Sequence, residues 1–473
     1  MDRTGPAERP QSAAPPLLVL SALVLSVGGV AAAVAGGAVL WVLPALLVGA
    51  GAVAFLLRFP LAPSAAFILG FPLIASYSTG LTPGELVYGL YLVGYLALWF
   101  FVRLIVYEER VLYTATDWAL LLFLVGATLS AVLPRLIGGP GSTAAAFGEW
   151  SSLIMIAGYF PVKEAVWRYP AGLRVVLTSL LAVAAFFLLR NVFQFRELAL
   201  QATQVWQVAR GRVSANEVFM LLPALGALTA AVSAHSGRHR VRWIVVAGLF
   251  LGGLLLTQSR GYWVDYAFGF FLLAVLAPAL WRRRLLAYAL LCGGGVLLLG
   301  WAFLGSLMEL LLAGITERIL SILTSADQDI SLINRFFETD AVIAMAKRSP
   351  LLGWGLGAEY YGHDIIAEGA YTRQFVHNGY VGLWFKTGIW GVALMGCYWA
   401  STVRRGLRLF RTSAPTAVRA TGLMVSVGLL SLLPSILTSS PFFVEDQLLL
   451  VGVLGGVVAG LADPRRAAHA PGA

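Results

Sequence analysis

The chain has 473 residues, of which 59% are hydrophobic and 12% are charged, and its mean hydropathy is +0.82. Soluble domains carry about 25% charged residues, so this composition excludes a chain built of ordinary soluble domains. It indicates a polytopic membrane protein with one continuous helical bundle, because apolar runs recur from Pro16 almost to Leu461.

Membrane topology, and not nucleic-acid binding, accounts for the net charge of +10. The basic residues lie mostly in short loops between apolar runs, which is the pattern of cytoplasmic loops under the positive-inside rule. Cys292 and Cys397 fall within apolar runs, so no disulfide framework is expected. The main basic loops are 235–243, 281–285, 404–411 and 464–466.

A spanning helix needs about 20 mostly apolar residues, and about fourteen stretches of this chain qualify. The first stretch has some features of a cleaved signal peptide, but the loop charges alternate correctly only if it is retained as a signal anchor with a cytoplasmic N-terminus. The predicted spans are 16–36, 38–57, 61–78, 86–106, 117–134, 147–162, 173–194, 216–234, 242–258, 262–280, 285–311, 378–401, 416–438 and 446–462.

These spans predict an all-α polytopic membrane protein with about 12–14 transmembrane helices and one large exoplasmic, or periplasmic, loop. The N-terminal transmembrane bundle is placed at 1–311 and the loop at 312–377. The C-terminal transmembrane helices follow at 378–463, and a cytoplasmic tail occupies 464–473.

The large loop is the least hydrophobic part of the chain. Its segment "ISLINRFFETDAVIAMAKRSP" predicts an amphipathic helix that ends at Pro350. The alternating Gly353, Gly355 and Gly357 predict turns, and the missing strand-turn-helix context argues against a dinucleotide site.

Two of the five histidines, His363 and His377, are predicted on the exoplasmic face. Histidine is the side chain that most readily exchanges a proton near neutral pH, so His377, just before an apolar run, is a candidate catalytic residue. The alternative is a solvated or capping histidine, and Asn378 can likewise be the N-cap of the next helix.

Arginines on the same face are candidate ligands for a diphosphate. Arg260, in "TQSRGYW", and Arg190 lie at the outer ends of spans, where they either bind an anion or snorkel to the interface. Asp265 is a possible local counter-ion for Arg260. Four further arginines lie on this face against the positive-inside bias, and planar guanidinium groups suit a diphosphate: Arg210, Arg212, Arg335 and Arg348.

Local carboxylates leave internal ion pairing open as an alternative for these arginines. The nearby acidic residues are Glu338, Asp340, Glu359 and Asp364. Lys386 lies about 13 Å deeper than His377 at 1.5 Å per residue, and an ionisable group at that depth is a functional candidate. Its spacing from His377 turns it to roughly the opposite helix face.

Five features occur in a fixed order within about 205–395: "RGRVSANE", "TQSRGYW", Arg335 at the start of the amphipathic helix, "SPLLGWGLG" and "HNGYVGLWFKTGIWG". This set resembles the O-antigen ligase and Wzy-type polymerase superfamily. The resemblance implies catalytic roles for Arg260, Arg335 and His377. Relatives often have an acidic residue at the position of Lys386, so no role is carried over to it.

The resemblance also implies a reaction and its partners. A glycan would move from undecaprenyl diphosphate to an acceptor hydroxyl, on lipid A-core or a similar glycolipid or glycan, at the outer face of the bacterial inner membrane. The enzyme would need no metal or other cofactor, and its contacts would include membrane lipid but no nucleic acid. The predicted substrate-binding residues are Arg190, Arg210, Arg212, Arg348 and Asn378.

Four alternatives remain open. A polymerase would join one lipid-linked glycan to another, and a protein oligosaccharyltransferase would use a protein acceptor. A transporter could use Lys386 and Asp265 as coupling charges, although no repeated halves with interrupted helices are evident. A metal-dependent glycosyltransferase would use an acidic pair such as Asp327 and Asp329.

Overall fold

The structure, a computed structural model, describes residues 58–74, 83–136, 141–201, 216–305, 308–309, 312–316, 330–364, 369–412 and 415–468. Within these residues the chain is almost entirely helical, which confirms the predicted all-α polytopic fold. The helices are α1 (Ala62–Leu69), α2 (Pro83–Phe101), α3 (Ala115–Leu136), α4 (Thr143–Ile154), α5 (Tyr159–Arg168), α6 (Gly172–Gln201), α7 (Val218–Ser233), α8 (Gly237–Leu256), α9 (Arg260–Leu276), α10 (Ala279–Leu304), α11 (Ile330–Ala346), α12 (Gly379–Arg411), α13 (Thr416–Ser431), α14 (Glu445–Leu461) and α15 (Arg465–Ala468).

Several described helices are long and apolar enough to cross a membrane. The predicted spans 16–36 and 38–57 lie outside the described residues. The six stretches that meet both criteria are Val87–Val106, Ala115–Val132, Gly172–Gln201, Gly237–Leu256, Ala279–Ala302 and Thr416–Leu437.

The span predicted at 147–162 is broken into two helices. A 3₁₀ turn, Met155–Gly158, separates α4 from α5. Gly158 lies so close to the ring of Phe67 that a Cβ there would collide with it. Pro161 falls in the first turn of α5, where its missing N–H costs no helical hydrogen bond. The break therefore follows from close packing against α1 and from a proline at a tolerated position.

Helix α14 forms the centre of the bundle, and most of its side chains are buried. Glycines line its contact with the preceding elements: Gly452 lies against the backbone of Ile156, and Gly456 against the backbone of Tyr159. Small residues let two helix backbones approach closely, which is how apolar helices associate in lipid.

Helix α12 is interrupted at Gly388, whose φ of 72° is outside the helical range. The interruption frees two carbonyl groups, and the glycine-rich loop after α11 fills the gap. The N–H of Trp354 donates to Phe385 O at 2.8 Å, and the N–H of Gly355 donates to Lys386 O at 3.0 Å. The sequence did not reveal this interrupted helix.

The large loop contains the predicted amphipathic helix, which is α11. Its Val342 and Ala346 are buried, whereas Phe336 and Phe337 are exposed. A β-hairpin that was not predicted follows, with β1 (Tyr360–Asp364) antiparallel to β2 (Gly369–Arg373). Helix α11 and the hairpin pack on each other, and their cluster includes the buried Phe385 of α12.

Candidate active site

His377 lies just before α12 and forms two hydrogen bonds with one carboxylate, that of Glu338 on α11. Its Nδ1 atom is 2.8 Å from Glu338 Oε2, and its backbone N–H donates to Oε1 at 2.5 Å. The Glu338 side chain is only 3% exposed, whereas that of His377 is 33% exposed. The pair therefore has one buried and one accessible member.

The carboxylate determines which imidazole nitrogen carries the proton. An ionised carboxylate only accepts hydrogen bonds, so Nδ1 must be the donor in the neutral ring. The lone pair then lies on Nε2, which faces away from Glu338. This is the arrangement of a general base that is oriented by an acid partner.

The segment before His377 is held in place by the hairpin and by a helix cap. The Tyr360 hydroxyl donates to Phe375 O at 3.2 Å, and the Phe375 ring lies edge-on to the His377 ring with centroids 5.1 Å apart. Burial and then the charge of Glu338 raise the pKa of Tyr360, which keeps this hydroxyl a donor. Asn378 accepts from the Val381 N–H at 3.2 Å and so caps α12.

Two predicted arginines lie on, or just after, the helix that carries Glu338. Arg335 is three residues before Glu338, and such a spacing places both on one face of α11. Arg335 is half-buried. Arg348 follows the C-terminus of α11 and is exposed. Arg335 therefore lies on the face of α11 that carries Glu338.

Arg260 is the first residue of α9, after a tight turn. Thr257 and Ser259 in this turn are buried, and Gln258 has a positive φ of 57° although it is not glycine. The predicted pairing of Asp265 with Arg260 is wrong. Asp265 is fully buried one turn farther along α9 and accepts from the backbone N–H of Ser435 at 3.0 Å.

The segment between α13 and α14 brings Arg260 and His377 to the same end of the bundle. A Cβ at Gly261, next to Arg260, would lie 3.7 Å from Thr438 Oγ1. The N–H of Gly379, at the start of α12, donates to Ser439 O at 3.1 Å. Adjacent residues of one segment thus contact the first turns of both α9 and α12.

Arg190 belongs to a partly buried polar network that reaches the first turn of α9. Its Nη2 donates to Asn216 Oδ1 at 2.5 Å, and Asn216 Nδ2 donates to Asp446 Oδ2 at 3.1 Å. Gln447, the next residue, hydrogen-bonds the hydroxyl of Tyr262, two residues after Arg260. The network links Arg190 to the first turn of α9.

Lys386 is buried and paired with a carboxylate. Its side chain is 1% exposed and forms an ion pair with Glu149 of α4. The other oxygen of Glu149 accepts from the Gly357 N–H at 2.7 Å. One carboxylate therefore ties α12, α4 and the glycine-rich loop together.

The other predicted residues include four that lie outside the part of the chain that the structure describes. Arg210, Arg212, Asp327 and Asp329 lie outside the described residues. His363 is on β1, opposite Ala370 of β2. No group of three or more His, Cys, Asp or Glu residues occurs in the described part of the chain in an arrangement that could hold a metal ion.

Sequence reasoning treated Glu338 only as a possible ion-pair partner and did not single out Glu149, Asn216 or Asp446. Glu338 follows Arg335 by one helical turn on a predicted amphipathic helix, and this spacing was the available signal. The others contact residues more than 200 positions away in sequence.

Comparison with known families gives a match over residues 245–396 to Wzy_C, O-Antigen ligase. The matched region includes Arg260, Arg335 and His377 and confirms the resemblance inferred from the ordered motifs. A comparison with curated proteins gives no match.

Proposed function

We propose that this chain, whose residues 245–396 match the O-antigen ligase family, transfers a glycan from undecaprenyl diphosphate to an acceptor hydroxyl on lipid A-core or a similar glycolipid. The reaction takes place at the outer face of the bacterial inner membrane. The observation that carries the proposal is the hydrogen-bonded pair of His377 and Glu338, with Arg335 one turn away on the helix of Glu338.

In the proposed mechanism, the acceptor hydroxyl donates a hydrogen bond to Nε2 of His377. The imidazole takes the hydroxyl proton as the acceptor oxygen attacks the anomeric carbon of the donor sugar. Glu338 keeps Nε2 free of a proton before the reaction and stabilises the imidazolium ion that forms.

The bond between the anomeric carbon and the diphosphate oxygen breaks in the same step. Its electron pair stays with undecaprenyl diphosphate, which gains negative charge. Arg260 and Arg335 stabilise that charge, and their planar guanidinium groups can each form two hydrogen bonds with phosphate oxygens. Arg190, Arg210, Arg212, Arg348 and Asn378 provide further contacts to the donor in this proposal.

Lys386 has no direct part in this chemistry. Its charge is compensated by Glu149, and its carbonyl anchors the loop between α11 and β1.

The test is transfer by the purified chain reconstituted in liposomes with undecaprenyl-diphosphate-linked glycan and lipid A-core. The expected product is one glycan joined to the lipid acceptor, and His377→Ala should lose it. A ladder of longer glycans without lipid A-core would instead assign the polymerase reaction to the same site. Full transfer by His377→Ala would overturn the assignment of the base.

A further inference from the structure

A long apolar groove runs along α12 and ends far from His377. Its volume is about 740 Å³. Leu383, Met395 and Trp399 of α12 form the wall, with Leu433 after α13. The lining begins at Tyr380 and ends at the last residue of α12, about 45 Å of helix at 1.5 Å per residue, which exceeds the roughly 30 Å hydrocarbon core of a bilayer.

Small residues keep the middle of the groove open. Gly396 and Ala400, one turn apart on α12, are exposed and line it. A Cβ built on Gly396 would meet no atom within 4 Å. An apolar chain can therefore lie against this part of α12 without displacing a side chain.

Three arginines line the groove at the end opposite His377. Arg404, Arg408 and Arg411 are spaced at one helical turn each along α12. No hydrogen bond or ion pair of their side chains occurs in the described part of the chain. Two other arginines at this end have protein partners: Arg465 pairs with Asp463 at 2.7 Å, and Arg419 donates to Phe410 O at 3.1 Å.

We infer that this groove binds an anionic phospholipid, with the phosphate among Arg404, Arg408 and Arg411 and the acyl chains along the apolar wall. Guanidinium groups bind phosphate oxygens through paired hydrogen bonds. Basic pockets between membrane helices bind anionic head groups in this way.

Charge distinguishes this occupant from the other apolar candidate, the tail of the polyprenyl donor. A polyprenyl chain carries its only charge at the diphosphate, which the proposed function places near Arg260. It would leave the three arginines without an anion. Snorkelling alone explains arginines at a membrane surface but not their position along a groove.

The test is recovery of lipid with the full chain after detergent extraction from membranes of defined composition, measured by native mass spectrometry. Wild type is expected to retain about one phosphatidylglycerol or cardiolipin per chain. The triple variant R404Q/R408Q/R411Q should retain at least tenfold less, because it keeps the groove but loses the charge.

A matched triple variant, R238Q/R242Q/R283Q, removes the same charge from exposed arginines that do not line the groove. These belong to the same end of the bundle, where Arg284 donates to Val232 O and Trp281 packs on Phe410. This control variant should retain lipid as wild type does. Equal loss in both triple variants would overturn the proposal in favour of diffuse charge attraction.

A second pair of variants tests the apolar wall separately. Gly396→Trp should fill the groove and reduce lipid retention, whereas Gly294→Trp, at another position where a Cβ meets no atom within 4 Å, should not. Unchanged retention in Gly396→Trp, or recovery of polyprenyl lipid in place of phospholipid, would also overturn the proposal. None of these measurements depends on glycan transfer.

Discussion

Replacing Glu338 with glutamine should disable the proposed base while keeping its shape. The amide oxygen can still accept the backbone N–H of His377, which Glu338 accepts at 2.5 Å. The amide NH₂ then faces Nδ1 and can only donate to it. Nδ1 must then accept this hydrogen bond, so the ring proton moves to Nε2. A protonated Nε2 can no longer accept a hydrogen bond from the hydroxyl of the acceptor substrate.

The size of the expected effect follows from this change of tautomer. A positioned acid-base group contributes roughly 10²–10⁴-fold to rate, and a wrong tautomer in a serine protease triad costs about 10⁴-fold. We expect kcat to fall roughly 10²–10⁴-fold with KM nearly unchanged. Stability should change by no more than about 1 kcal/mol, because the buried side chain keeps two hydrogen bonds.

The assay is initial-rate transfer in liposomes, with the thermal midpoint measured in parallel. Asp340→Asn is the matched control, because Asp340 is exposed on the same helix. The double variant with His377→Ala should be no slower than His377→Ala alone. Wild-type kcat in Glu338→Gln, or effects that multiply in the double variant, would refute this reasoning.

Three further outcomes are expected. Arg260→Ala and Arg335→Ala should abolish transfer while the chain still inserts into the membrane. Lysine at either position should restore only part of the activity, because it lacks the planar guanidinium group. Full activity in either alanine variant would place the diphosphate elsewhere. Glu149→Gln should cost about 3–5 kcal/mol by removing the carboxylate that compensates the buried charge of Lys386, and adding Lys386→Met should recover most of the loss. Chemical denaturation in detergent would measure both changes, and no recovery in the double variant would contradict a role based on charge. Gly388→Ala should lower the thermal midpoint, because positive φ costs about 1–3 kcal/mol and the new Cβ would collide with the carbonyl oxygen of Leu351; an unchanged midpoint would contradict it.

The helices were predictable because hydropathy reports contact with lipid and with the apolar core. The interruptions were not. Gly158 and Gly388 look like other glycines in apolar runs, and only the atoms that approach them explain the breaks. The β-hairpin was missed because its strands, "YYGHD" and "GAYTR", are short and contain glycine.

The candidate site was predictable in part, because motif order singled out Arg260, Arg335 and His377. The partner that orients His377 needed the structure. Glu338 is 39 residues away in sequence, and nothing local distinguishes it from the exposed Asp340. The partner of Lys386 also needed the structure, since Glu149 is 237 residues away.

The glycine-rich loop between α11 and β1 also bears on the order in which the chain folds. Its Gly357 reaches back to Glu149, 208 residues earlier, and its Trp354 and Gly355 bind carbonyls of α12, which the ribosome makes later. Contacts between such distant residues form slowly, because a large loop must close first. We therefore expect the loop beside the His377 site to reach its final position after α12 has inserted. Variants of the loop glycines should slow maturation and prolong exposure of the nascent chain to membrane proteases.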